Sequence, residues 1–439
     1  MKEQHLIPSI NPTTGILINN KKTITAWSFY DWANSAFALV ITVAIFPSYF
    51  ISVTEATIPL WGWQISNSAL YAYAISFSYL VIALLSPLLS GIADSGGRRM
   101  FFLRIFTVLG SSSCIALFLF TGMDNLWFGT IAFILALIGF SGGLVFYNSY
   151  LHDIVSSDHY DQTSAKGYAY GYIGSVILLI INLAIILNFE YFGLKSVQIA
   201  TRLSFLMVGL WWIGFALIPF TKLPRDSKTP FKREFLKRGT RELKKVWNEV
   251  KTRRDIKVFL LSFFFYSAGV QTLLFLAATF AEKELAFGTS QLITVILVLQ
   301  ILGIAGGYLF AFLSKKMGNI NAILLMLFSW MSVCFAASFV YEQFYFYIMS
   351  GFVGLLMGGI QALSRSTYAK LVPEQTKDVT SYFSFYDVLE KIAIVLGTFI
   401  FGFIDQLFGN MRISILFQAI FFIAGIILLY KLKRERIAL

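Results

Sequence analysis

Long apolar runs of about twenty residues or more alternate with short polar connections along most of the chain. A helix rises about 1.5 Å per residue, so roughly 20 mostly apolar residues cross the hydrocarbon core of a bilayer. On that rule the pattern predicts twelve spans, over 26–52, 67–92, 100–122, 126–150, 168–189, 199–219, 257–281, 289–313, 320–340, 344–369, 379–404 and 411–431. The connections are short, apart from 53–66 and the long polar segment 220–256. Polar residues inside the runs are rare, which makes each of them informative. The first run holds "FYDWANSAFALVI" (Phe29 to Ile41), with Asp31 in an otherwise hydrophobic helix. A charge at such a place costs roughly 2.5–3.5 kcal/mol even on lenient insertion scales, so it calls for a reason.

Composition supports the membrane reading. Of 439 residues, 57% are hydrophobic and only 13% charged, against about 25% charged in soluble domains. Cys114 and Cys334 each sit in an apolar run, so no disulfide framework is indicated. The net charge of +12 would suit a nucleic-acid binder, but its distribution argues otherwise. With both termini cytoplasmic, all but five of the 35 Lys and Arg fall on the inner side, the exceptions being Lys195, Arg202, Lys283, Arg412 and the intramembrane Lys391. The charge is therefore a topology signal for a multi-pass protein of the inner (plasma) membrane. The polar first 25 residues show no cleavable signal. The expected organisation is a cytoplasmic tail over 1–25, a six-helix half over 26–219, a basic cytoplasmic linker over 220–256, a second half over 257–431 and a basic tail over 432–439. In the linker, Leu243, Val246, Trp247 and Val250 recur at helical spacing. That spacing predicts an amphipathic basic helix lying on the anionic inner leaflet.

A weak internal repeat joins the halves. "GFSGGLVFYNSY" in the fourth span returns loosely as "GLLMGGIQALSR" in the tenth, and Arg98-Arg99 after the second span matches Lys315-Lys316 after the eighth. Two six-span halves in parallel order, joined by a basic linker, form the architecture of a major facilitator transporter. The expected fold class is an all-α polytopic membrane protein whose two halves are related by a pseudo-two-fold axis.

"GIADSGGRRMF" (Gly91 to Phe101) bridges the second and third spans and resembles the loop signature of that superfamily. Gly91 permits close helix approach, Asp94 is suited to accept backbone N–H bonds at a helix start, and Arg98 and Arg99 seek carboxylates such as Asp153. The resemblance implies a latch between the halves. "YDWANSAF", "FYNSYLHDI", "GYIGSV", "GGIQALSRSTYAKLVPE" and "SFYDVLEK" together resemble the vacuole effluxer-like branch of the superfamily, over nearly the whole chain. This branch contains autophagy-related vacuolar amino-acid exporters of fungi and many bacterial members. The resemblance implies transport, with export of neutral amino acids suggested by the fungal members. Many relatives carry Asn-Asp before "GVQT", where this chain has Ser267 and Ala268, and His152 stands where a proline is expected.

Asp31, Asn34, Ser35 and Ala38 share one face of the first span. Spans one, four, seven and ten line the cavity in this fold, and the candidate cavity residues are Tyr30, Asp31, Asn34, Ser35, Tyr147, Asn148, Tyr266, Gln271 and Gln361. Gln271 lies about 20 Å into its span, near the midplane. Asp31, Asn148 and Arg365 lie nearer the cytoplasm and suit an inner gate, so Asp31 either touches cargo or closes that gate through a cation such as Arg365. In the eleventh span Asp387 and Lys391 are four apart and suited to pairing. Glu390 lies about 16 Å from the inner end, suiting it either to carry a proton or to join a structural charge network. Asp31, Asp387, Glu390 and Lys391 are the candidate coupling groups, and Asp94, Arg98, Arg99, Asp153 and Arg365 the candidate gate.

The loop "HDIVSSDHYD" (His152 to Asp161) is rich in metal-binding residue types but matches no firm ligand spacing, so a solvated connection is expected. No phosphate-binding loop, nucleophile elbow or zinc-protease helix is found, so neither an enzyme nor a cofactor is indicated. The expected function is secondary active transport of a small solute by a monomer, proton drive being one option. A lipid or lipophilic-compound translocase on the same fold is the alternative.

Overall fold

The computed structural model describes residues 17–60, 63–226, 234–408 and 410–437. The expectations for 1–16, 227–233 and 438–439, parts of the two tails and of the linker, lie outside the described residues. The first span runs unbroken as α1 (Lys21–Ala36), a π-helical stretch (Phe37–Ile45) and α2 (Phe46–Val53). Asn20 caps it by accepting from the backbone of Lys22 and Thr23. The π stretch opens one residue before Ala38, so the even helical spacing that put Ala38 under Asp31 does not hold. The 53–66 connection, for which the hydrophobic pattern predicts no element, contains a hairpin, β1 (Thr57–Leu60) paired antiparallel with β2 (Trp63–Ser66).

Then follow α3 (Asn67–Gly96), α4 (Arg99–Leu117), α5 (Leu126–Ile154), α6 (Tyr160–Leu187) and α7 (Val197–Lys222). The linker forms α8 (Glu234–Thr252), and the second half consists of α9 (Arg254–Leu285), α10 (Thr289–Met317), α11 (Asn319–Ala337), α12 (Gln343–Leu371), α13 (Val379–Phe408) and α14 (Met411–Ile437). Eleven spans among the described residues are long and apolar enough to cross a membrane. α13 is the twelfth long helix of the bundle. It carries Asp387, Glu390 and Lys391, and it packs against α3, α5, α9 and α14.

Packing repeats across the halves. α1 pairs with α6 and α7 as α9 pairs with α13 and α14, and α5 pairs with α3 and α4 as α12 pairs with α10 and α11. The halves meet along two seams, α6 against α10 and α12, and α13 against α3 and α5. Large apolar side chains such as Leu84, Ile180, Phe399 and Ile427 stand out from the bundle, which suits a bilayer and would be a liability in water.

α8 corrects the expectation for the linker. Its apolar stripe does not lie free on a leaflet: Val246 and Val250 are buried and the helix packs on α3. Gly91 and Gly239 make the crossing, where a Cβ on Gly91 would fall 2.4 Å from the Gly239 carbonyl oxygen. The close approach anticipated for Gly91 is therefore made with the linker helix.

Candidate functional site

Where the chain turns between α3 and α4, Asp94 accepts from the backbone N–H of Thr380 (3.2 Å) and Ser381 (2.7 Å) in the first turn of α13. It thereby caps a helix of the other half. Arg99 approaches Asp94 at 3.5 Å and pairs with Asp153 at the end of α5. Arg98 lies over the Phe101 ring at 5.8 Å. Below them α8 straps the seam: Lys245 bonds Asp378 at 2.9 Å, Tyr382 donates to Glu249, and Trp247 packs on Phe385. The Asp378 carboxylate raises the Lys245 pKa above its ordinary value.

Asp161 fastens the other seam. It is buried in the first turn of α6 and takes bonds from Ser314 (2.8 Å), Asn319 (2.7 Å) and Lys370 (2.7 Å), on α10, α11 and α12. The solvated connection expected for 152–161 holds for Asp158 and His159, which are exposed, but His152, Asp153 and Asp161 are buried. No spacing in the sequence announces this, because the partners come from three distant helices.

Between the seams lies Arg365 of α12, only 2% exposed. It reaches into the other half, where Nη1 contacts Asp31 Oδ2 (3.3 Å) and Asn148 Oδ1 (3.2 Å). Its Nε donates to Ser164 Oγ (2.9 Å) and Nη2 to the Ser164 carbonyl (2.8 Å). Tyr147 donates to the same Asp31 oxygen at 2.6 Å. Three rings surround the guanidinium, Trp27 at 4.8 Å, Tyr147 at 5.7 Å and Tyr168 at 4.2 Å. A buried arginine is tolerated only with such pairing, because stripping one charge of its partner costs about 3–5 kcal/mol. Gly167 gives α6 room to approach, since a Cβ there would fall 2.6 Å from Asp31 Oδ2 and 2.8 Å from Arg365 Nη2. Asp31, Tyr147, Asn148 and Arg365 are legible in the sequence, whereas Trp27, Ser164, Gly167 and Tyr168 are not. "GYIGSV" lies just beyond those α6 residues, and an aromatic or small residue in an apolar run carries no signal by itself.

The other candidates separate into groups. The Tyr30 hydroxyl meets Thr107 on α4, within its own half (3.0 Å). Tyr266 likewise bonds Ser364 within its own half (2.8 Å). Asn34 is fully buried with its amide nitrogen unpartnered, and Ser35 lies against Gly171 on α6. Gln361 accepts from Tyr172 across the α6–α12 seam. Gln271 donates to Glu390 (3.3 Å), which contacts Lys391 (3.2 Å), and Lys391 contacts Asp387 (3.3 Å). Lys391 also lies 5.6 Å from the Tyr79 ring, tying this set to α3. The Glu390 side chain keeps 23% of its surface exposed, whereas Asp387 and Lys391 are buried. Among the described residues no group of three His, Cys, Asp or Glu is disposed to hold a metal ion.

This architecture is that of the major facilitator superfamily of transporters. The crystal structure of the superfamily member FucP in its outward conformation superposes with a TM-score of 0.68 at 14% identity, over 94% of this chain and 98% of that one. An outward-facing bacterial homologue of the iron transporter ferroportin gives 0.66 at 11% identity, over 95% and 100%. Within that fold, residues 19–438 match the family described as vacuole effluxer Atg22 like, and the chain belongs to that family. It is 31% identical over 420 residues to the uncharacterized MFS-type transporter YxiO of Bacillus subtilis, covering 94% of this chain and 95% of the relative. It is 24% identical over 477 residues to autophagy-related protein 22 of Kluyveromyces lactis, covering 95% and 94%.

Proposed function

We propose that this secondary transporter exports a small polar solute, with neutral amino acids as the first candidates, by alternating access of two halves (26–219 and 257–431) joined by the linker 220–256. The carrying observation is Arg365, which enters the opposite half and is held there by Asp31, Asn148 and Ser164 at 2% exposure. Such a charge-paired plug must be withdrawn before anything passes, so Asp31 and Arg365 act as the inner gate. Asp94, Arg98, Arg99 and Asp153 form the latch on one seam, and Asp161 with Lys370 fastens the other. The basic end, with both termini, faces the cytoplasm of a bacterial plasma membrane, and the chain acts as a monomer. The remaining basic face of α8, including exposed Arg241, Lys244 and Lys251, meets anionic lipid.

Gln271 and Gln361 offer polar contacts to cargo near the midplane. Glu390, the most exposed acid of its set, carries the coupling proton. This polar and charged lining favours a polar solute over the lipid alternative. The name of the family, vacuole effluxer, supports the export direction. The test is flux in proteoliposomes across a panel of neutral amino acids under pH gradients of either sign. Saturable flux of at least one of them is expected. Absence of flux for the whole panel at every gradient refutes the amino-acid reading.

A further inference from the structure

One edge of the linker helix α8 continues the lipid-facing side of the bundle. Phe385, Ile392 and Phe399 stand seven residues apart on α13, so they form nearly one line along that helix, and Ile392 and Phe399 are exposed on the outside of the bundle. Trp247 packs on Phe385 at the inner end of this line, with 5.4 Å between centroids and 32° between planes, and stays 43% exposed. Phe385 lies six residues from the start of α13, about 9 Å by helical rise, which puts Trp247 at the level of the headgroups. Indole rings favour that layer. Two lysines flank the ring. Lys251 Nζ lies 4.7 Å from its centroid, and Lys244, one turn before Trp247, is exposed on the same side of the helix. Among the described residues the nearby acids are taken by other groups: Glu242 and Asp378 by Lys245, Glu249 by Tyr382, and Asp255 by Arg253.

Two ammonium groups beside an interfacial ring suit a phosphate diester, whose oxygens accept from both while the ring rests on the glycerol and upper acyl chains. The wall of this site comes from both halves. α8 is fixed to α3 through buried Val246 and Val250 and the Gly91–Gly239 crossing, whereas Phe385 and Asp378 belong to α13 and the turn before it. If the seam between α3 and α13 parts, Phe385 leaves Trp247 and the site comes apart. A ligand that binds only the assembled arrangement stabilises it. We propose that Lys244, Trp247 and Lys251 bind the headgroup of an anionic phospholipid of the inner leaflet, and that the bound lipid clamps the α3–α13 seam shut. This assignment rests on the cytoplasmic placing of α8 proposed above.

The test places the full chain in nanodiscs of phosphatidylcholine alone, or of an equal mixture with phosphatidylglycerol. Amide exchange is followed at Thr380 and Ser381, whose N–H groups bond Asp94 across the seam. Exchange there should be about 3–10-fold slower in the mixture. Lys244→Gln combined with Lys251→Gln should abolish that difference. Native mass spectrometry of this variant, released from the mixture, should show one phosphatidylglycerol fewer than the parent retains. Lys315→Gln combined with Lys316→Gln removes the same charge from the exposed inner end of α10 and should change neither readout. Inorganic phosphate added to the phosphatidylcholine nanodiscs should not slow exchange. Equal exchange in the two lipids overturns the clamp. Slowing by free phosphate overturns the lipid as occupant. Equal losses from both lysine pairs overturn the headgroup site and leave only the general attraction of the basic side to the leaflet. Neither readout involves transport, so an absence of flux would refute the transport reading and leave this site standing.

Discussion

Asp31 divides one carboxylate oxygen between a phenol and a guanidinium, Tyr147 at 2.6 Å and Arg365 at 3.3 Å. Asp31→Asn keeps the shape and the tyrosine bond but leaves Arg365 buried without its counter-charge, at a cost of about 3–5 kcal/mol to the closed arrangement. The variant should insert normally, since an intramembrane charge is removed, yet lose at least about tenfold in flux, because 1.4 kcal/mol already equals tenfold. Normal flux in proteoliposomes would remove Asp31 from the gate. Glu390 calls for a different readout. It bonds Gln271 and contacts Lys391 while staying partly exposed. Glu390→Gln should leave substrate exchange intact and abolish accumulation driven by a pH gradient. Loss of the folded protein instead would make Glu390 a structural member of the charged set on α13.

At the scale of elements, the proposed latch is a matter of helix ends. The free N–H groups at the start of α13 are donors in search of an acceptor, and Asp94 supplies one from α3. Asp94→Ala should cost about 1–2 kcal/mol of cap energy, read as faster amide exchange at Thr380 and Ser381 with little change deep in α5. Unchanged exchange there would show that α8 holds α13 by itself. Asp94 and Arg99 are legible in the motif Gly91 to Phe101 through its resemblance to the superfamily's loop signature. The role of α8 was only half legible. Its apolar stripe was plain in Leu243, Val246, Trp247 and Val250, but a stripe states that something is covered, not what covers it. The answer depended on Gly91 meeting Gly239 across about 150 residues of chain, a proximity that only the packed structure creates.

For the whole molecule, Asp94 bridges one seam and Asp161 the other, so the opening proposed above requires both to release. If the halves rock as units, weakening either seam should admit a thiol reagent to a cysteine placed at buried Ala362, which lies between α6 and α10. Asp94→Asn and Asp161→Asn should each raise the labelling rate of Ala362→Cys about 3–10-fold, and the double variant should multiply the two effects, as distant independent sites do. A double variant no faster than one single variant would mean that the seams open separately. The long apolar runs determined the twelve helices, and their lengths matched the bilayer because backbone groups in lipid must be satisfied within a helix. The family strings and the rare intramembrane charges also pointed directly to Asp31, Arg365 and the α13 set. The pairs Asp31–Arg365, Arg99–Asp153 and Asp387–Lys391 are already legible in the sequence, whereas the partners of Asp161 and the surroundings of the Arg365 guanidinium were decided by tertiary structure. Tyr30 and Tyr147 look alike in an apolar run, yet one turns to Thr107 and the other to Asp31. Trp27, Ser164 and Tyr168 became a cage only when α1, α6 and α12 closed on one guanidinium. Helix formation is local and written along the chain, whereas the partner of a buried charge is whichever group packing brings within about 3 Å.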